Sequence, residues 1–232
     1  FRGKPEYARI LAESSVEVAN VANNHMGDFG VRGQEDTRKA LLDAGVGVCG
    51  NGHIGRRTIQ GIEVVSLGFT GIHMTRKKVQ SGISEVKTAD NLVIASFHWG
   101  VEGTHDVIDI QREFGRLAID AGADLILGHG PHVVRALELY KGRLIVYSLG
   151  NFIGYGALSS RGKTGLTLVL DISLGKDGKF ESGKIIPMNM PEKSIPRYDA
   201  SGKTIQLMRE LTEADFPKTK LHISENGEIT IR

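Results

Sequence analysis

Four histidines, each at or shortly after the end of a short apolar run, are the residues of this chain best suited to chemistry: His25, His98, His129 and His132. Imidazole is the commonest protein ligand for metal ions, and it also exchanges protons near neutral pH. In α/β sheets, ligands bind beyond the carboxyl ends of the strands. Because three separate runs end this way, the pattern predicts a metal- or phosphate-type site at one edge of a sheet.

Polar residues on either side of His25 extend this predicted site. Asn23 and Asn24 precede the histidine and offer amide oxygens, and a mixed nitrogen and oxygen donor set suits Mn, Fe or Zn. Asp28 follows, and its carboxylate can orient the His25 ring from behind. The alternative for Asp28 is that it only supports the turn at residues 27–30.

Two further polar residues lie where they can reach the same edge. Glu102 follows His98 by four residues, and Asn151 comes after a predicted strand. Both are candidates for contacting a bound molecule. The alternative for Glu102 is a solvated loop carboxylate, and for Asn151 a turn residue that hydrogen-bonds its own backbone.

The elements that must position these residues alternate between strand and helix in the first half of the chain and become antiparallel in the second half. Apolar runs predict strands at residues 16–22, 46–49, 92–97 and 124–127. Amphipathic spacing predicts helices at residues 5–14, 33–44, 108–121 and 201–214, with one or two helical turns at 83–89. Hairpins are predicted at residues 58–69, 133–149 and 166–188. The pattern predicts an α/β fold, and the length of 232 residues predicts a single domain.

Composition narrows the possible partners. Charged residues make up 24% of the chain and the net charge is +2, with no concentrated basic run beyond residues 76–78. Nucleic acid is therefore not expected as a partner. The one cysteine, Cys49, lies in an apolar run and is expected to be a small buried hydrophobe. No membrane span or signal peptide is recognisable. Because the chain begins with Phe1 and not with Met, we expect an N-terminal part to be missing, so localisation cannot be derived from it.

Five ordered motifs resemble the CapA family of poly-γ-glutamate capsule synthesis proteins, which is related to the calcineurin-like metallophosphoesterases. The likeness runs from Phe1 to about Phe152. Its motifs are Ala-Asn-Asn-His with Asp-Phe-Gly at 22–30, Phe-His-Trp-Gly-Val-Glu at 97–102, Gly-Ala-Asp at 122–124, Gly-His-Gly-Pro-His at 128–132 and Tyr-Ser-Leu-Gly-Asn-Phe at 147–152.

The resemblance implies a four-layer α/β/β/α sandwich that lacks its first strands in this chain. It also implies roles for the site residues. Asn24, His98 and His129 would be metal ligands, and His132 would be a ligand of the other metal ion or would bind the substrate. His25, together with Asp28, would be catalytic. Asn23, Glu102 and Asn151 are the expected substrate contacts.

Three functions remain open on this resemblance. The first is a divalent-metal-dependent hydrolase of phosphoester or γ-glutamyl bonds, in which an anionic polymer or a phosphoester is the substrate. The second is a non-catalytic component of capsule synthesis or export that binds polymer within a membrane complex. The third is a generic phosphatase or nucleotidase. Whether the chain is an enzyme is therefore undecided by its sequence, and a cell-surface or membrane-associated location is implied by the family alone.

Overall fold

The computed structural model describes residues 1–153, 162–192 and 195–232. Its helices are α1 (Ala8–Glu13), α2 (Gly30–Asp43), α3 (Arg76–Ser84), α4 (Asp109–Asp120) and α5 (Lys203–Asp215). Its strands are β1 (Val18–Asn20), β2 (Gly47–Cys49), β3 (Gly55–Ile59), β4 (Ile62–Thr70), β5 (Asn91–His98), β6 (Leu125–His129), β7 (Leu137–Tyr140), β8 (Arg143–Val146), β9 (Leu166–Leu174), β10 (Phe180–Glu192), β11 (Ile195–Tyr198), β12 (Leu221–Ile223) and β13 (Glu228–Ile231).

The centre of the molecule is a six-stranded sheet in the order β3-β4-β5-β6-β8-β7. The four inner strands run parallel, and the edge strands β3 and β7 pair antiparallel to their neighbours. Both faces of β5 and β6 are covered, which explains why their sequences are nearly continuous apolar runs. Helices α3 and α4 pack on one face, where Val79, Ile83 and Phe114 meet Val93 and Ile126.

A second sheet covers the other face. Strands β11, β10, β13 and β12 lie in this order, and β9 also pairs with β10. Leu168, Phe180 and Ile185 of this sheet pack against Leu125 and Leu144 of the central sheet. Helix α5 adds Ile205 and Met208 to the same core. The predicted α/β sandwich is therefore confirmed.

The N-terminal part forms a smaller layer of its own. Strands β1 and β2 pair parallel as a two-stranded sheet. Helices α1 and α2 pack on it, and Leu41, Val46 and Val48 are buried between them. Cys49, at the end of β2, is buried as expected, and burial raises the pKa of its thiol to about 11.

One local prediction was wrong. The helical turns expected at residues 83–89 are replaced by α3, which starts earlier because Thr75 caps it by accepting a hydrogen bond from the Lys78 amide at 3.2 Å. At the start of α5, Asp199 accepts the Thr204 amide hydrogen at 3.0 Å and the Ser201 hydroxyl accepts the Lys203 amide hydrogen at 3.4 Å. None of the described helices is long and apolar enough to cross a membrane.

Candidate functional site

Two of the predicted site histidines face each other on neighbouring strands. His98 ends β5 and His129 ends β6, and the two residues are paired in the parallel register. Side chains alternate along a strand, so Ser96 lies on the same face as His98, two residues before it. The ends of the two central strands therefore present both imidazoles together, as the sequence predicted.

The surroundings of His98 and His129 favour their neutral forms. Burial lowers the pKa of His129 to about 4, and the neighbouring His98 contributes to this decrease. The pKa of His98 is lowered first by burial and then by the charges of His132 and His25, while Glu102 raises it. Both imidazoles are thus uncharged at neutral pH, which is the form that binds metal ions. The charges of His25, His132 and Glu102 therefore all act on the pKa of His98.

Ser96 is a site residue that the sequence analysis missed. Its hydroxyl lies 3.0 Å from Nε2 of His129, and the side chain is buried. The available signal was a single polar residue inside the apolar run that precedes His98. This contact fixes the His129 ring and occupies one of its two ring nitrogens.

We expect Ser96→Ala to lower the free energy of unfolding by about 1 kcal/mol, the usual net value of a buried hydrogen bond. Urea unfolding at pH 7 measures the change. Ser84→Ala is the matched control, because Ser84 is an exposed serine at the end of α3. Equal urea midpoints for the two variants would show that the contact with His129 makes no net contribution to the free energy of unfolding.

The turn after β6 carries His132 in a left-handed backbone conformation. Gly130 has a φ of 111° and His132 a φ of 60°. A Cβ on Gly130 would lie 2.8 Å from the Trp99 carbonyl oxygen, so only glycine fits against the neighbouring chain. Nδ1 of His132 donates to Oδ1 of Asn151 at 2.7 Å. Its Nε2 lies 3.8 Å from a carboxylate oxygen of Glu102. Two of the three predicted substrate contacts therefore flank His132.

His25 approaches from the smaller sheet. Its Nδ1 lies 3.1 Å from the Asp28 carboxylate, within hydrogen-bond distance. Asn23 accepts the His25 amide hydrogen at 2.8 Å and thereby shapes the turn. Asn24 is exposed beside them.

The loop that carries His25 is anchored by Asn20 at the end of β1, a second residue that the sequence analysis missed. Oδ1 of Asn20 accepts the Ala22 amide hydrogen at 2.9 Å. The same atom fills a slot beside Gly68, where a Cβ would lie 2.1 Å from it. Since Gly68 belongs to β4, this contact joins the small sheet to the central sheet and sets where the loop begins.

An open groove of about 630 Å³ runs from His129 between the two main sheets. Apolar side chains dominate its walls, with Thr167 and Asp171 among the polar ones. It is lined by Leu125, Leu127, His129, Leu149, Gly150, Phe152 and residues 167–172. The groove thus leaves open space beside the buried histidine.

The described residues do not form a complete metal site. Within residues 1–153, 162–192 and 195–232, no group of three or more His, Cys, Asp or Glu side chains is close enough together to hold a metal ion. Nε2 of His129 is engaged by Ser96, and Nδ1 of His132 is engaged by Asn151. The neutral histidines are suitable donors, but the described residues supply only part of a ligand set.

The sequence of this chain is similar to those of two curated capsule proteins. A protein from Bacillus subtilis named PGA biosynthesis protein CapA is 32% identical over 97% of this chain and 64% of its own length. The capsule biosynthesis protein CapA of Bacillus anthracis is 29% identical over 99% of this chain and 61% of its own length. The chain thus spans less than two thirds of these relatives.

A solved structure of a hypothetical protein from Thermus thermophilus aligns with 81% of this chain and 93% of that chain, at 16% identity and a TM-score of 0.47. The family model described as bacterial capsule synthesis protein PGA_cap matches residues 1–155, which include both main strand-end histidines, the turn with His132 and Asn151. On this match, the chain belongs to the PGA_cap family.

Proposed function

We propose that this chain carries the functional centre of a protein of poly-γ-glutamate capsule biosynthesis, and that this centre hydrolyses a phosphoester or γ-glutamyl bond. The observation that supports the proposal best is the pairing of His98 with His129 at the ends of neighbouring strands, next to the turn in which His132 lies 3.8 Å from Glu102. The groove beside His129 gives a substrate room to approach. The names of the relatives supply the association with capsule polymer.

The proposed proton-transfer group is His25. Because Nδ1 faces the Asp28 carboxylate, that nitrogen carries the ring proton, and Nε2 is left to accept or return a proton. A carboxylate behind an imidazole fixes its tautomer and stabilises the charged ring that forms when it accepts a proton. Asn23, Glu102 and Asn151 are the proposed contacts for the polar or anionic groups of the substrate.

A divalent ion, Mn, Fe or Zn, belongs to this proposal, and His98 and His129 would be its ligands together with Asn24 and His132. Such an ion would supply Lewis-acid chemistry. Since the described residues provide only part of a ligand set, we assign it no step. Binding is tested by calorimetric titration with Zn²⁺ of the wild type and of His98→Ala and His129→Ala. We expect both variants to lose the binding; unchanged affinity in both contradicts the assignment.

The hydrolytic role is tested with the variant His25→Asn. We expect a loss of at least about 100-fold in kcat, the usual range for a general acid or base, on either a chromogenic phosphodiester or poly-γ-glutamate, with Mn²⁺, Fe²⁺ or Zn²⁺ added. His73→Asn is the control, because His73 is exposed and lies outside the site. Equal turnover by His25→Asn and the control would contradict the role of His25.

The incomplete ligand set favours one alternative, a non-catalytic protein that binds capsule polymer. This alternative predicts that poly-γ-glutamate binds to the wild type and is not cleaved with any of the three metals. Binding that Glu102→Gln or Asn151→Ala alters, without turnover, would establish this function in place of the hydrolase.

A further inference from the structure

Arg135 is a fully buried arginine three residues after His132, and neither the proposed metal site nor the proposed proton transfer uses it. Its guanidinium donates to neutral acceptors. Nε donates to the Thr104 carbonyl at 3.0 Å, and Nη2 donates to the Val101 carbonyl at 2.7 Å and to the Thr104 hydroxyl at 2.9 Å. Nη1 donates to the side chain of Gln111. Among the described residues, no carboxylate lies within ion-pair distance of it.

Such a buried cation is costly to keep, because a charge removed from water is ordinarily compensated by a partner of opposite sign. Burial lowers the pKa of Arg135 to about 10, and the charges of Asp106 and Asp215 partly oppose that change. Three of the four hydrogen bonds end on Val101 and Thr104. The main effect of the guanidinium is therefore to hold residues 101–104.

The loop at residues 101–104 fits closely around this guanidinium. Gly100 has a φ of 87°, and a Cβ there would lie 2.8 Å from Nη1 of Arg135. On its other side the loop is tied to the turn that carries His132, since the Gly103 amide donates to the Pro131 carbonyl at 2.8 Å. Between these two attachments lies Glu102, which faces Nε2 of His132 at 3.8 Å.

We propose that Arg135 is a positioning residue that fixes the loop at residues 101–104 and thereby sets the approach of the Glu102 carboxylate to His132. A guanidinium suits this task because its donors point in fixed directions from one plane, so one side chain can hold two carbonyls and a hydroxyl at once. The inference rests on the proposed function in one respect, namely that Glu102 and His132 belong to the same site.

The test is a double-mutant cycle read from the His132 ring resonances by NMR at pH 7. In the wild-type background, we expect Glu102→Gln to shift these resonances, because it removes a nearby charge. In the Arg135→Met background, we expect that shift to fall to less than half. Arg112→Met is the matched control, since Arg112 is a partly buried arginine that pairs with Asp215, and it should leave the shift unchanged.

Amide hydrogen exchange gives a second measurement on the same samples. We expect Arg135→Met to speed exchange at Gly103 at least about 10-fold, since local opening controls the exchange of loop amides. The Trp99 amide, which donates to the His129 carbonyl, should keep its rate. Arg135→Lys retains a charge but not the planar set of donors, so an intermediate effect is expected. If Arg135→Met does not fold, both measurements, the His132 resonance shift and Gly103 amide exchange, are made with Arg135→Lys instead.

The proposal is overturned if Glu102→Gln shifts the His132 resonances equally in the wild-type and Arg135 variant backgrounds, or if Gly103 exchange is unchanged. Neither readout needs a metal ion or turnover. A failure of hydrolysis would therefore count against the proposed function alone. If Glu102→Gln shifts the His132 resonances equally with and without Arg135, that result would count against the role of Arg135 alone.

Discussion

Gly128→Ala is expected to lower the free energy of unfolding by about 3 kcal/mol, the upper part of the usual range for overpacking a core. Gly128 lies inside β6, and a Cβ there would be 2.2 Å from the Tyr147 carbonyl oxygen and 2.7 Å from Nε1 of Trp99. Both neighbours are buried, and Nε1 of Trp99 donates to that same carbonyl at 3.0 Å. A shift of either atom alone away from the added methyl group would strain this hydrogen bond.

Thermal unfolding measures the effect, and a chain of this size should lose roughly 6–12 °C in Tm. Gly27→Ala is the control. A Cβ on Gly27 meets nothing within 4 Å, so its Tm should change little. If Gly128→Ala unfolds at the same temperature as the control, the close approach of Tyr147 and Trp99 to β6 is not as the structure places it.

The elements that carry the site were predictable because their signals are local. An apolar run buried on both faces and followed by histidine is visible within a few residues, and β5 and β6 end with His98 and His129 as that pattern indicates. The sequence predicted one sheet edge for His25, His98 and His129, but the central sheet carries only His98 and His129. The strand before His25 pairs with β2 in a separate sheet, and no local pattern states which strand a given strand will pair with.

Contacts between distant segments were the part that the sequence could not supply. Arg135 lies in an apolar stretch where a strand would normally turn a charged side chain toward solvent, yet it is fully buried. It is held by residues 101–104, which lie far from it in the chain. The contact of His132 with Asn151 and that of His129 with Ser96 are of the same kind. Each needs the folded arrangement before its partners can be named.

Protonation of His129 is expected to destabilise the protein in mild acid by roughly 3 kcal/mol, the free-energy equivalent of its pKa shift. The folded pKa is lowered to about 4 from the ordinary value of 6.5, first by burial and then by His98. Between these two pH values the unfolded chain binds a proton that the native protein does not bind. The free energy of unfolding therefore falls as the pH is lowered from about 6.5 to about 4, and this loss is complete below the folded pKa.

Carboxylates also titrate in acid, so the contribution of His129 is isolated by comparing variants. Urea unfolding at about pH 7 and about pH 4.5, on either side of the ordinary histidine pKa, should show a markedly smaller acid loss in His129→Gln than in the wild type, because glutamine cannot be protonated. His73→Gln is the control, since His73 is exposed, and it should retain the wild-type acid loss. An equal loss in His129→Gln and the control would mean that His129 does not sit in the buried, neutral state from which the donor properties of this site were inferred.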